Sequence, residues 1–335
     1  MISLRKNRIA YAYAAGLVLL LLAILLGTLL GPSRLSIADI LSSLAVGDKN
    51  SPELRILLYV RLPRMLSGLV CGAALAVSGA VIQGVLANRL ASPSIIGVNS
   101  GAGLAVTLCS ALGIMGGWML SLFAFIGAFL SVMLVSLGAK RWGASRGTVI
   151  LMGVALNALL GAISDLIVTF SPDISVMNSD FRIGDFSSAT YDRLIPASFA
   201  VLAAITVLLT LSNELDVLTL GDDNARGLGM NTNIMRIVFL LLSALLAGVA
   251  VSIAGLLSFV GLLVPHAVRR IASSQTRYLL PLCALFGAGF VSLCDTFARI
   301  VFAPYELPVG IIMAFLGAPF FIFIILRKRG GHSRD

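Results

Sequence analysis

The residues of this sequence that could do chemistry are charged side chains at the ends of long apolar segments. Arg61 and Arg64 lie three positions apart, so a helix would project both outward on one side, and Arg299 ends a later apolar segment. Three guanidinium groups that keep their charge could bind carboxylates through bidentate contacts. The same side chains could instead extend toward lipid headgroups, and the spacing allows both interpretations.

Two aspartates lie within apolar segments, where a carboxylate is costly unless it is paired or functional. Asp295 and Arg299 are four positions apart, which predicts an ion pair on a helix surface. A proton-driven carrier would need an acid near the middle of the membrane, whereas Asp165 and Asp295 fall toward the outer ends of their segments. We therefore interpret both as interfacial acids that pair with water or arginine.

A polar stretch from Leu218 to Asn231, LTLGDDNARGLGMN, separates two long apolar runs. Asp222 or Asp223 could accept hydrogen bonds from the first free N–H groups of a short helix. Gly227 or Gly229 would permit the left-handed turn that ends it. Such order predicts a docking surface, although a capped connector would show the same spacing.

Motifs of several catalytic and nucleotide-binding classes are absent from the sequence. No GxxxxGK[ST] occurs, so we expect no phosphate-binding loop in this chain. No HExxH occurs, and His266 and His332 are isolated, which argues against a zinc site and against histidine-based catalysis. We therefore predict no catalytic residue and no metal ligand.

Membrane helices must position these residues. Of the 335 residues, 59% are hydrophobic and 12% charged, and a bilayer solvates that much apolar surface whereas water does not. A net charge of +9 would suggest nucleic acid as a partner of a soluble protein, but in a membrane protein the location of the charge matters more, so no nucleic acid is expected. The four cysteines lie in apolar segments without CxxC spacing and are expected to be packing residues.

We predict an all-α polytopic fold, with one transmembrane domain over residues 1–335 and ten helices in one bundle. The predicted spans are 9–31, 58–87, 93–112, 117–138, 147–170, 194–212, 232–253, 256–268, 278–299 and 308–326. The eighth span is too short to cross alone, because about twenty residues are needed, so a broken segment around Gly255 is expected before it. Residues 171–193 form an outer-face segment that could hold a short surface helix.

The basic residues predict that both termini are cytoplasmic. An even number of spans puts the termini on one side, and with that side inside, the inner face collects sixteen of the 24 lysines and arginines and the outer face the other eight. This bias satisfies the positive-inside rule and makes 213–231 a cytoplasmic segment.

Small residues recur along two of the predicted spans. They are Gly68, Gly72, Ala76, Ala80 and Gly84 in the second span, and Gly97, Gly101 and Ala105 in the third. Such stripes allow neighbouring helix backbones to approach closely. We interpret them as packing surfaces, with a pathway lined by small residues as the alternative.

Blocks of residues in a fixed order cover nearly the whole chain. They are RLPR at 61–64, SGA at 78–80 with Gln83, NxLAxP at 88–93, IG at 96–97, GA at 101–102, LGDDxARGLG at 220–229, FVGLxxPHxxR at 259–269, DxxAR at 295–299, ExPxG at 306–310 and GxPxF at 317–321. Together they resemble the permease subunits of ATP-binding cassette (ABC) importers that carry ferric siderophores, haem and vitamin B12.

The resemblance implies a permease in the bacterial cytoplasmic (inner) membrane, paired with a second copy of itself or a close paralogue. Two ABC ATPase subunits would bind ATP and Mg, so this chain would hold no cofactor and would not be an enzyme. An extracytoplasmic substrate-binding protein would deliver the cargo. A ferric siderophore is the expected cargo, with haem or cobalamin as the alternatives.

The resemblance also assigns residues by position. The coupling segment, 213–231, would contact the ATPase through Gly221, Asp222, Asp223, Ala225, Arg226, Gly227, Leu228 and Gly229. The binding protein would dock on Arg61, Arg64 and Arg299. The cytoplasmic gate would be lined by Asn88, Leu90, Ala144 and Ser145.

Two positions depart from the family pattern. Arg89 stands where the family usually has proline, which places a cation beside the gate. Residues 181–185 read FRIGD where the family often has Trp-x-x-Gly-Ser, so only Gly184 carries over.

Two other classes of function remain open at this point. A carrier driven by protons or sodium would take up cargo without an ATPase and would depend on Asp165 or Asp295. A non-transporting sensor or scaffold would show no flux.

Overall fold

The computed structural model describes residues 2–32, 51–114, 117–141 and 146–329, and within these ranges it contains helices and no strand. In chain order the helices are α1 Ile2–Leu29, α2 Pro52–Val85, α3 Val98–Ala111, α4 Gly117–Arg141, α5 Arg146–Phe170, α6 Asp173–Met177, α7 Ser179–Ile183, α8 Tyr191–Thr210, α9 Ser212–Thr219, α10 Asp222–Gly227, α11 Thr232–Ala254, α12 Val260–Ile271, α13 Thr276–Ile300 and α14 Val309–Arg329. The predicted all-α class is confirmed.

A helix lies at each of the ten segments that the sequence predicts as spans. Among the described residues, seven helices are long and apolar enough to cross a membrane, namely α1, α2, α4, α5, α8, α11 and α13. The number of spans and the side of the termini stay predictions.

Helix α2 is the centre of the bundle and packs against α11, α12 and α13. Glycines make the closest approaches. A Cβ atom at Gly72 would overlap the carbonyl group of Gly287, and one at Gly79 would overlap the backbone of Gly261. Gly72 belongs to the predicted stripe of small residues, which therefore packs against α13 as predicted, whereas the close contact of Gly79 with α12 was not part of that prediction.

The start of α2 differs from the prediction. The helix begins at Pro52, where the Ser51 hydroxyl accepts a hydrogen bond from the Leu54 N–H at 3.4 Å. Pro63 is thus inside a continuous helix and does not open it. A π-helical turn, Leu57–Arg61, comes just before Pro63. This turn is wider than an α-helical one, so it fits a proline ring and the missing N–H donor.

The third predicted span is shorter than expected, because α3 starts only after Gly97, whose φ of +103° a residue with a side chain rarely adopts. Helix α3 packs closely on α4, since a Cβ atom at Gly101 would overlap the backbone of Gly127. The second stripe is also a packing surface.

The predicted break around Gly255 is confirmed. Helix α11 ends at Ala254, Gly255 has a φ of +70°, and α12 has only twelve residues. The Leu256 N–H donates to the Phe181 carbonyl at 2.8 Å, so the irregular backbone is buried against α7.

The outer-face segment contains the two short helices α6 and α7, and α7 ends at Gly184, which has a φ of +91°. The Asp185 N–H donates to the Ala254 carbonyl at 2.9 Å, and the Gly310 N–H donates to the Gly184 carbonyl at 3.1 Å. The segment therefore joins α11 to the start of α14.

Candidate functional site

The coupling segment forms an ordered element at one end of the bundle. Helix α10 lies between two glycines with positive φ, Gly221 at +111° and Gly229 at +83°. Gly229 supplies the predicted left-handed turn, whereas Gly227 remains within the helix. The Asn231 side chain accepts a hydrogen bond from the Ile234 N–H at 3.2 Å and caps α11.

Neither predicted aspartate caps α10, because no side chain accepts a hydrogen bond at its start. The Asp222 carboxylate instead binds two arginines: Oδ1 lies 2.9 Å from Arg146 Nη2, and Oδ2 lies 2.6 Å from Arg236 Nη2. Both partners of these ion pairs are charged, whereas in a helix cap only the carboxylate would be.

The two arginines also determine the protonation of Asp222. Partial burial raises the pKa of this carboxyl, but the hydrogen bonds and charges of Arg236 and Arg146 outweigh burial, so its pKa lies below the ordinary value. The ion pairs therefore persist at neutral and mildly acidic pH and are lost only as the pH falls through that lowered value.

Helix α10 has one buried face and one exposed face. Ala225 is fully buried, whereas Asp223 and Arg226 are exposed. Two leucines that flank the helix are also exposed, Leu220 at 60% and Leu228 at 68%. Exposed apolar side chains beside charged ones are typical of a surface that a partner covers.

Helix α9 is the first part of the coupling segment and packs against the bundle. Leu215 and Leu218 are buried. The Asp216 carboxylate accepts hydrogen bonds from the Thr276 hydroxyl at 2.6 Å and from the Thr276 N–H at 3.0 Å, at the start of α13. The segment is thus attached to α13 at one end and to α11 at the other.

The structure adds residues that the sequence reasoning missed. Leu220 could have been recognised as a second exposed leucine of the polar stretch. Arg146 and Arg236 gave no signal, because a sequence does not show which distant residues meet.

The predicted gate residues Asn88 and Leu90 lie in the turn that follows α2. The Asn88 Oδ1 accepts a hydrogen bond from the Leu90 N–H at 2.9 Å, and Leu90 is 48% exposed. Arg89 between them is exposed. The other two predicted gate residues, Ala144 and Ser145, lie outside the described residues.

The three outer arginines are buried, so the expectation that Arg61 and Arg64 project outward is wrong. Arg61, Arg64 and Arg299 are 2%, 5% and 2% exposed. Arg61 Nη1 donates to the carbonyls of Thr28 at 3.1 Å and Leu29 at 2.6 Å. Carbonyl and carboxylate groups of the same chain contact the three buried guanidinium groups. These contacts offset the free energy lost when a charged group leaves water.

Arg64 is the centre of an outer charge network. It lies 3.0 Å from Asp295, 2.5 Å from Glu306 and 3.6 Å from Asp185. Asp295 is also 3.2 Å from Arg299, which confirms the ion pair predicted one helical turn apart. Asp295 is therefore an acid with arginine partners, as interpreted from the sequence, and Asp165 is exposed on α5.

Within the described part of the chain, no group of three or more His, Cys, Asp or Glu side chains could hold a metal ion. The four cysteines are buried free thiols, in line with a role in packing.

The chain is similar to known proteins over most of its length. A model of the FecCD transport family matches residues 19–327. The hemin transport system permease protein HmuU of Yersinia pestis is 38% identical over 290 residues, which are 85% of this chain and 87% of that protein. The Fe(3+)-citrate import system permease protein YfmD of Bacillus subtilis is 36% identical over 317 residues, 95% of each chain. The vitamin B12 import system permease protein BtuC of Shigella boydii is 36% identical over 319 residues, 93% of this chain and 94% of that protein.

A similar fold is known from experiment. A structure solved as an inward-facing conformation of a metal-chelate type ABC transporter matches 95% of this chain and 99% of its own, with a TM-score of 0.81 and 29% identity.

Proposed function

Because the chain belongs to the FecCD transport family, we propose that it forms the translocation pathway for a ferric siderophore or a related metal chelate, which a substrate-binding protein delivers. The chain is a multi-pass permease of the inner membrane, of the type that serves metal-chelate, haem or vitamin B12 importers. Haem and cobalamin are the alternative cargoes. The observation that supports an ATP-driven importer most directly is the ordered coupling segment. It exposes Leu220 and Leu228, and its Asp222 is held by two arginines.

The permease pairs with a second copy of itself or with a close paralogue. Helix α5 supports this, because it packs on α3 and α4 and leaves large apolar side chains exposed, including Leu151 at 69% and Leu159 at 59%. Some of this surface faces lipid, and the rest is available to the partner permease and to a pathway between the two.

Two ABC ATPase subunits bind ATP and Mg and dock on residues 221–229, and this chain binds no nucleotide. When ATP closes the ATPase pair, the coupling segments move and favour one orientation of the pathway over the other. A conformational equilibrium shifts only if the ATPases bind its two states with different affinity, and ATP binding supplies that difference.

The binding protein docks on the outer face, near Arg61, Arg64 and Arg299. Because these arginines already have partners within the chain, carboxylates of the binding protein would have to replace Glu306 and Asp185 around Arg64. At the opposite face, Asn88 and Leu90 line the cytoplasmic gate with Ala144 and Ser145.

The coupling assignment is tested by reconstituting the permease in liposomes with its cognate ATPase and binding protein. Uptake of radiolabelled ferric citrate, haemin or cobalamin is measured with and without ATP. We expect Arg226→Glu, and a variant with residues 221–229 scrambled, to abolish ATP-dependent uptake, because both change the exposed charge that meets the ATPase.

The matched control is Arg277→Glu, which reverses an exposed arginine outside the coupling segment and should leave uptake unchanged. Uptake that survives both changes in the coupling segment would remove the assignment. Uptake without any ATPase, which an uncoupler and Asp165→Asn both abolish, would instead identify a secondary carrier.

A further inference from the structure

We propose that Asp222 is a positioning residue that transmits movement of the coupling segment to α5 and α11, an inference that rests on the proposed function. Its carboxylate joins two helices, because Arg146 is the first residue of α5 and Arg236 lies in the second turn of α11. The two oxygens bind one arginine each, at 2.9 Å and 2.6 Å. A displacement of α10 therefore acts on both helices.

Helix α10 is linked to α5 through the side chains of Asp222 and Arg146. Helix α5 packs mainly on α3 and α4, whereas α10 packs on α9 and α11. Arg146 connects the two groups, since its Nη2 donates to Asp222 Oδ1 and to the Leu218 carbonyl, both at 2.9 Å. These acceptors lie on either side of Gly221, so one guanidinium fixes the turn between α9 and α10 relative to α5.

The backbone alone would transmit movement poorly. Helix α10 has six residues and is flanked by Gly221 and Gly229, both with positive φ. A helix of this length gains little stability from its own hydrogen bonds, and glycine gives the chain the most conformational freedom. The ion pairs of Asp222 give α10 a defined position that its own backbone does not.

The two faces of α10 then have separate roles. Asp223, Arg226 and Leu228 face outward, where the ATPase would bind. Asp222 faces the arginines and is 31% exposed, and its partner Arg236 is 8% exposed. Asp223, Arg226 and Leu228 would thus contact the ATPase, and Asp222 would transmit the movement of α10 to the pathway.

The test uses the complete transporter in liposomes and the cargo, among ferric citrate, haemin and cobalamin, that the wild type takes up. Asp222→Asn keeps the shape of the side chain and removes its charge, and Arg146→Gln removes only the link to α5. We expect uptake per ATP hydrolysed to fall about tenfold in each, a size typical of coupling between sites. ATP hydrolysis and co-purification of the ATPase should persist.

The loss in the double variant should be smaller than the product of the two single losses, because both changes break the Asp222–Arg146 ion pair. Asp222→Glu should restore part of the coupling, and Asp173→Asn, which neutralises an exposed carboxylate on α6, should have no effect.

Three outcomes would overturn the inference. In the first, hydrolysis, ATPase binding and uptake fall in proportion, as expected of a residue that only stabilises the fold. In the second, the losses in the double variant multiply, as expected of independent sites. In the third, the wild-type complex shows no ATP-dependent uptake, which refutes the proposed function itself and is thereby distinguished from the other two.

Discussion

Replacing Arg64 by methionine is expected to destabilise the folded protein by about 3–5 kcal/mol, the cost of breaking a buried ion pair by removing one partner. Asp295 is 1% exposed, and among the residues that the structure describes Arg299 would be its remaining cationic partner. Three carboxylates, from Asp185, Asp295 and Glu306, would then lose the arginine with which each of them pairs. The effect is measured as the loss of thermal stability of the detergent-solubilised protein.

Glu306→Gln is the matched control for Arg64→Met. The Glu306 side chain is 34% exposed, so water can solvate what the substitution leaves behind, and the expected cost is below about 1 kcal/mol. If Glu306→Gln costs as much as Arg64→Met, the stability of this region does not depend on the burial of Asp295.

The apolar runs predicted the helices well because hydropathy alone decides which segments leave water for a bilayer. They predicted the start of α2 poorly. Glu53 and Arg55 make 52–57 polar enough to resemble a loop, yet the segment is helical, with proline in its first turn and a serine cap. Helix ends depend on caps and local turns, which hydropathy does not report.

The partners of the charged residues could be predicted only within one helix. Asp295 and Arg299 are one turn apart, and the sequence predicted their ion pair. Arg64 and Asp295 are 231 positions apart, and Arg146 and Asp222 are 76 apart. Local reasoning therefore projected Arg64 outward and gave Asp222 a capping role, because it had no information on which helices meet.

The close packing of α2 leads to the second large effect, which we expect for Gly72→Ala. The added methyl group would overlap the carbonyl group of Gly287, and a Cβ atom at Gly287 would likewise overlap Gly72. The obstacle is backbone, which cannot rotate away as a side chain can, so α2 and α13 would have to separate. We expect a cost at or above the upper end of about 1–3 kcal/mol that is usual for overpacking, and no folded protein for Gly72→Leu.

Gly103→Ala separates this clash from the change in helix propensity. Gly103 is also within a helix, α3, and no heavy atom lies within 4 Å of where its Cβ would be. Alanine is favoured over glycine in a helix by about 1 kcal/mol, so Gly103→Ala should be neutral or slightly stabilising while Gly72→Ala is destabilising. Thermal unfolding of both variants in the same detergent gives the comparison. Equal stability of the two would mean that α2 and α13 are not in contact at Gly72, and the central packing of the bundle would have to be revised.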